Sequence, residues 1–156
     1  MLWLIRIIAA IALILAGCHD LKNREIPNSY PLLLALLVMP AVLLAENDGI
    51  INAMLFPLLV GFVALVAGIM LWLPGWLGGG DVKLNAAVCM WCASAAHLPR
   101  YLLLMTILGG ILALFQIITA RHATGQAARW LDPERGVPYG LAIAGAALIS
   151  LPWLPS

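Results

Sequence analysis

From Ile50 to Leu73 the chain carries no charged residue, and five further stretches are almost as apolar. Crossing a hydrocarbon core of ~30 Å takes about 20 helical residues at ~1.5 Å each. The other stretches are Leu2 to Cys18, broken only by Arg6; Pro31 to Ala45, with Asn28 to Tyr30 supplying a first turn; Leu84 to Ala96, the briefest, containing Asn85 and Ser94; Tyr101 to Ala120; and Val137 to Leu154. They are too long and too rich in Leu and Ala for strands, and lipid tolerates only helices or closed barrels. Soluble domains are about 45–50% apolar and about 25% charged. This chain is 64% hydrophobic and 10% charged. Six spans would use roughly 120 residues, so residues 1–156 read as a single transmembrane domain with no room for a soluble one. The expected fold class is an all-α polytopic membrane protein of about six transmembrane helices.

Charge placement orients the spans. His19 to Asn28 holds Lys22 and Arg24, Gly78 to Lys83 holds Lys83, and Arg121 to Gly136 holds Arg121, Arg129 and Arg135. In a six-helix chain these segments share one side. The other side has Arg6, Arg100 and the acidic segment Glu46-Asn47-Asp48. The positive-inside rule puts the basic segments in the cytoplasm and both termini outside, on the periplasmic side. A net charge of +1 argues against a nucleic-acid partner, and three cysteines give no disulfide framework. Leu15-Ala16-Gly17-Cys18 imitates a lipoprotein cleavage site, but it would place Cys18 outside while Lys22 and Arg24 require the inside. An uncleaved first helix is the better reading. Gly61, Gly68, Gly109, Gly110, Gly140, Ala144 and Gly145 fit close helix packing in lipid.

Two acids stand out. Asp20 follows the first span and Asp81 precedes the fourth, on the same side and at similar depth. Two converging carboxylates are what water-activating peptide hydrolysis needs, one to take a proton and one to polarise the carbonyl. Either acid alone would read as a solvated helix-end residue paired with Lys22 or Lys83. Gly78-Gly79-Gly80 beside Asp81 alters that balance. Three glycines cost backbone entropy and pack nothing, and they suit a loop that another backbone must approach, such as an extended substrate. Gly78, Gly79, Gly80 and Lys83 are therefore expected to meet substrate. No Walker-type Lys-Ser/Thr follows the glycines, so a phosphate cradle is not indicated.

Gly78-x-Gly80-Asp81 resembles the Gly-x-Gly-Asp motif of intramembrane aspartic proteases, and Gly-Gly-Gly-Asp-Val-Lys-Leu resembles its type IV prepilin peptidase form. Asp20 with Ile26-Pro27-Asn28 is similar to that family's first catalytic segment, and Val137-Pro138-Tyr139-Gly140 to its late motif. The matches fall in family order and cover essentially the whole chain. The resemblance implies that Asp20 and Asp81 form the catalytic pair. It further implies a pilin-like precursor in the same bacterial cytoplasmic (inner) membrane as the substrate, whose short basic leader is cut at the cytoplasmic face. No metal or organic cofactor is implied. Larger members carry a cytoplasmic domain with paired Cys-x-x-Cys motifs between the first two helices and also methylate the product. Here that connection is about ten residues without cysteine, so the resemblance is to the short Flp or tight-adherence branch, and N-methyltransferase activity is not expected. The competing reading is a small transporter or assembly subunit using Asp20 and Asp81 to bind a cation or partner. Cys89-Met90-Trp91-Cys92, with His97 nearby, reads as buried small cysteines on a helix rather than a metal or redox site. His19 and His122 read as interfacial, with His19 able to sense Asp20. Trp3, Trp72, Trp76, Trp130 and Trp153 read as an aromatic belt.

Overall fold

The computed structural model describes residues 1–45, 50–94, 96–120 and 136–150. Among them are six helices and no strand: α1 (Leu2–Asn23), α2 (Ser29–Ala45), α3 (Ile50–Trp72), α4 (Gly79–Trp91), α5 (His97–Ala120) and α6 (Tyr139–Ser150). The all-α polytopic expectation holds. The spans Leu2–Asn23, Ala53–Trp72 and His97–Thr119 are long and apolar enough to cross a membrane, while α2 and α6 are shorter apolar helices. α3 continues through Pro57 without a break.

Helix boundaries depart from expectation in an informative way. α1 runs five residues past Cys18, so Asp20 lies in its last turn rather than after it. Arg24 ends the helix in the left-handed conformation (φ 57°), and its N–H bonds the Asp20 carbonyl at 2.9 Å. α4 begins at Gly79, not Leu84, with Gly78 extended at its N-cap. The glycine run expected as a loop is therefore the first turn of a helix, and Asp81 sits where an acid complements the helix dipole. α4 also ends early, at Trp91. Ser94 Oγ accepts the His97 N–H at 3.0 Å and so opens α5 four residues before the expected Tyr101. α6 starts at Tyr139, after Pro138. The segments holding Glu46 to Asp48, Arg121, His122, Arg129, Trp130, Asp132, Glu134, Arg135 and Trp153 lie outside the described residues.

Packing divides the helices into two groups. α1 and α6 meet through small residues: Ala9, Ala12, Ala16, Ala144, Ala146 and Ala147 are buried, and a Cβ on Gly17 would sit 3.2 Å from Ala144 Cβ. α4 is buried along much of its length through Val82, Leu84, Ala86, Ala87, Val88 and Cys89, and it packs on α2, α3 and α6. Gly61 and Gly68 admit Met90 and Val82 of α4 against α3, and Gly109 admits the Tyr139 ring. Gly110 faces open space and has no such role. α3 and α5 instead expose Leu, Ile, Val and Phe, as lipid-facing helices do.

Each of these helices has one end at the same pole of the bundle. Arg24 Nη1 and Gln116 Nε2 both donate to the Gly136 carbonyl, at 2.7 and 3.1 Å, which joins the end of α1 to the end of α5 and the approach to α6. Lys83 Nζ donates to Asn28 Oδ1 at 2.9 Å, joining α4 to the turn before α2.

Candidate active site

At that pole a cavity of about 290 Å³ is lined by Asp20, Arg24, Glu25, Ile26, Asn28, Gly78, Gly79, Gly80 and Asp81. The last turn of α1 delivers Asp20 and the first turn of α4 delivers Asp81. The structure thus brings the two acids together with all three glycines. Lys83 is not among the lining residues. It reaches the site through Asn28, which lines both this cavity and a groove between α2 and α3.

The glycines act by a route different from the one expected. A Cβ on Gly80 would lie 3.0 Å from Ile26 Cβ and within 3.4 Å of the Ile26 N and O atoms. The backbone that passes close by is the chain's own Ile26 segment, and Gly80 has no left-handed φ to explain it. On Gly78 a Cβ would stand 2.7 Å from Asp81 Oδ2, so this position must be bare for the carboxylate to fold back over its own helix start.

Gly140 completes the floor. A side chain there would meet Ile26 Cδ1 at 2.6 Å, Asp20 Oδ2 at 2.8 Å and Asp20 Cβ at 2.9 Å. Because it is bare, the first turn of α6 lies against Asp20, and the Gly140 backbone is within reach of both carboxyl groups. Asp20 is 4% exposed. Asp20 Oδ2 and Asp81 Oδ1 are buried and accept no hydrogen bond among the described residues. Burial pushes the Asp81 carboxyl up to about 7, and the Asp20 charge adds to the effect. Two acids so placed cannot easily ionise together, so around neutral pH the pair can hold one proton between them. Such a pair can take a proton from one group while giving one to another.

The remaining candidates fall elsewhere. Cys89 and Cys92 are buried and free, and the His97 ring bonds Ser94 Oγ at 2.7 Å. His19 pairs with Asn23 at 2.8 Å and lies by the Tyr30 ring. Sequence reasoning used Arg24 only as a basic residue that orients the spans and gave it no place in the site. Its left-handed backbone turns the chain toward Ile26, and no sequence pattern announces a left-handed arginine.

An all-helical membrane protein with two carboxyl groups, each with one buried oxygen, converging at one pole is the class that this fold and site define. Over residues 7–116 the chain matches the type IV leader peptidase family, and it belongs to that family. It is therefore a peptidase of the leader-peptidase kind, which displaces the transporter reading. The matched region holds Asp20 and Gly78 to Asp81 but stops before Gly140, which the fold places against Asp20. No curated protein and no solved structure matches the chain.

Proposed function

We propose that the chain is an aspartic endopeptidase of the bacterial inner membrane, a single multi-pass domain over residues 1–156. It removes the basic leader of Flp-type pilin-like precursors at the cytoplasmic face. One observation carries the reading: Asp20 and Asp81 line one cavity, each with a buried carboxyl oxygen that no described protein group satisfies. One carboxyl, ionised, takes a proton from the attacking water. The other, protonated, polarises the scissile carbonyl, and the roles exchange as the amine leaves. Lys22, Arg24 and Lys83 lie at the pole that holds this cavity, and the positive-inside rule turns that pole toward the cytoplasm, where a leader would lie. Gly78, Gly79 and Gly80 serve the substrate by keeping the cavity wall low, and Lys83 by holding Asn28. The connection between α1 and α2 spans only residues 24–28, which supports a reaction that ends at cleavage without methylation.

The test is coexpression with a pilin-like precursor, with leader removal read by mass. Asp20→Asn and Asp81→Asn should each reduce cleavage by roughly 10²–10⁴-fold or more, since an amide cannot relay the proton. Asp132→Asn and Glu134→Gln should leave most activity. A properly inserted Asp20→Asn or Asp81→Asn variant that cuts at the normal rate would overturn the assignment.

A further inference from the structure

One backbone carbonyl at the pole receives side chains from two helices. The Gly136 oxygen accepts Arg24 Nη1 at 2.7 Å and Gln116 Nε2 at 3.1 Å, one bond for each lone pair. The Arg24 bond is charge-assisted and short. Gln116 is 4% exposed near the end of α5, an apolar helix in which a side-chain amide is costly unless bonded. Gly136 has φ 76°, and a Cβ there would meet nothing within 4 Å. Glycine is needed at that position for its left-handed backbone and not for room.

From that carbonyl to Gly140 the chain has little freedom. Pro138 is buried and its ring fixes φ. The Tyr139 N–H bonds the Val137 carbonyl at 2.8 Å, and the Leu141 N–H bonds the Pro138 carbonyl at 3.2 Å. The Tyr139 ring fills the notch at Gly109 of α5, and Gln116 follows Gly109 by seven residues, two turns along the same face. Gly140 then lies against Asp20.

The contacts close a ring around Asp20. Its carbonyl accepts the Arg24 N–H at 2.9 Å, and the Arg24 guanidinium holds the Gly136 carbonyl. A short turn leads from Gly136 to Gly140, and Gly140 returns to the Asp20 carboxyl. Arg24 lines the catalytic cavity, whereas Gln116 and Gly136 are not among its lining residues.

We propose that Arg24 and Gln116 are positioning residues, which clamp the Gly136 carbonyl and thereby hold the start of α6 over Asp20. The proposal rests on the peptidase reading of Asp20 and Asp81. With the clamp open, Gly140 shifts from Asp20, and the carboxyl pair loses the backbone that fixes its place. Gln116 acts from outside the cavity, so its effect falls on the chemical step and not on substrate binding.

The test is a set of mutant cycles on the full-length chain with a pilin-like precursor, rates being taken per folded chain. Gln116→Leu removes one donor, and Gly136→Ala disfavours the backbone that aims the acceptor. Each should lower kcat about tenfold and leave KM within about twofold. The double variant should lose no more than about threefold beyond the worse single one, because both open the same clamp. Should Gln116→Leu fail to insert, Gln116→Met, which is also apolar but unbranched, takes its place. Thr119→Val is the control: that hydroxyl bonds only carbonyls of its own helix, at Phe115 and Gln116, and its loss should leave kcat unchanged. Arg24→Leu should cost kcat in the wild-type chain and add little in the Gly136→Ala background. A full additional loss there would show that Arg24 acts on the pair by its charge alone, and would overturn its share in the clamp. Wild-type kcat in Gln116→Leu, a rise in KM at constant kcat, losses that multiply, or an equal loss in Thr119→Val would overturn the proposal. Failure of the wild-type chain to cut the precursor would instead sink the peptidase reading, while non-additive melting temperatures in the same cycle would still report the clamp.

Discussion

α1, α4 and α6 differ from α3 and α5 in how much of each helix is buried against its neighbours. α1 and α6 touch through Ala and Gly and α4 is buried along much of its length, whereas α3 and α5 turn Leu, Ile, Val and Phe outward and meet the bundle at Gly61, Gly68 and Gly109. In lipid there is little hydrophobic gain in bringing two apolar helices together, so close approach must come from van der Waals fit and small residues. Close approach is also what a carboxyl pair needs, because its geometry must hold to a fraction of an ångström. The difference teaches that the small-residue surface is the positioning device of the site, and the bulky surface is its solvent boundary.

The largest effect that breaks this comparison is predicted at Gly140. A Gly140→Val side chain must displace Asp20, whose Cβ and Oδ2 stand within 3 Å of the added atom, or push α6 from α1. Either result costs upwards of ~10²-fold in cleavage, as a ~1 Å misplacement of a reacting group does. At Gly110, on the open face of α5, an added side chain should do almost nothing. Gly110→Ala adds a methyl that meets no atom within 4 Å, so cleavage and thermal stability should stay near wild type. Leader removal by mass and thermal melts of both variants in detergent decide it. A harmless Gly140→Val would mean that the close contact does not position Asp20.

Gly80→Ala comes next. Its methyl would press on Ile26 Cβ at 3.0 Å and on the Ile26 backbone, so the turn must shift by a few tenths of an ångström. Ile26 lines the same cavity as Asp81, and about a tenfold loss of cleavage is expected with insertion intact. Gly79→Ala is the matched control, since its Cβ would meet only the Trp72 ring at ordinary contact distance, 3.5 Å and beyond. Equal losses at the two positions would point to helix propensity rather than to the Ile26 contact.

How much of this was legible beforehand follows the same division. The outer helices are written in composition: the charge-free run from Ile50 to Leu73 gave α3 almost to the residue. The inner ones are not. Gly78-Gly79-Gly80-Asp81 has the composition of a loop, yet it opens α4, because burial of the rest of the helix outweighs the entropy cost of glycine. Both aspartates were found as ionisable residues at span ends, and their motif context named the family. Their convergence was not readable from separation along the chain. It depends on Arg24 turning left-handed and on Gly140 being bare, neither of which a periodicity can show. Asn85 looked like a flaw in a short span, and only its bond to the buried Tyr101 hydroxyl gives it meaning.

The smallest effects sharpen the comparison by reading the buried site through pH. The Asp81 carboxyl sits up at about 7, chiefly from burial and then from the Asp20 charge, against an ordinary value of 3.8. Cleavage should therefore fall on the alkaline side as the pair loses its one proton, with an apparent midpoint near 7 or above, and again in acid once both groups are protonated. Stability carries the same signature with a definite sign. A carboxyl whose folded value lies above its unfolded one favours the folded state below the unfolded value, and that contribution is lost as pH rises through the folded value. Asp81→Asn removes the titration and keeps the shape. Its melting temperature in detergent should match or fall slightly below wild type near pH ~4, where both side chains are neutral, and exceed it by a few degrees at pH ~8, where wild type must bury a charge. A change on the outer face, such as Ile111→Val, alters no titrating group and should shift stability by the same small amount at both pH values. A melting difference for Asp81→Asn that is flat between these pH values would show that Asp81 is solvated in the folded protein. The proton-sharing pair, though not the contact geometry of Gly140 and Gly80, would then have to be abandoned.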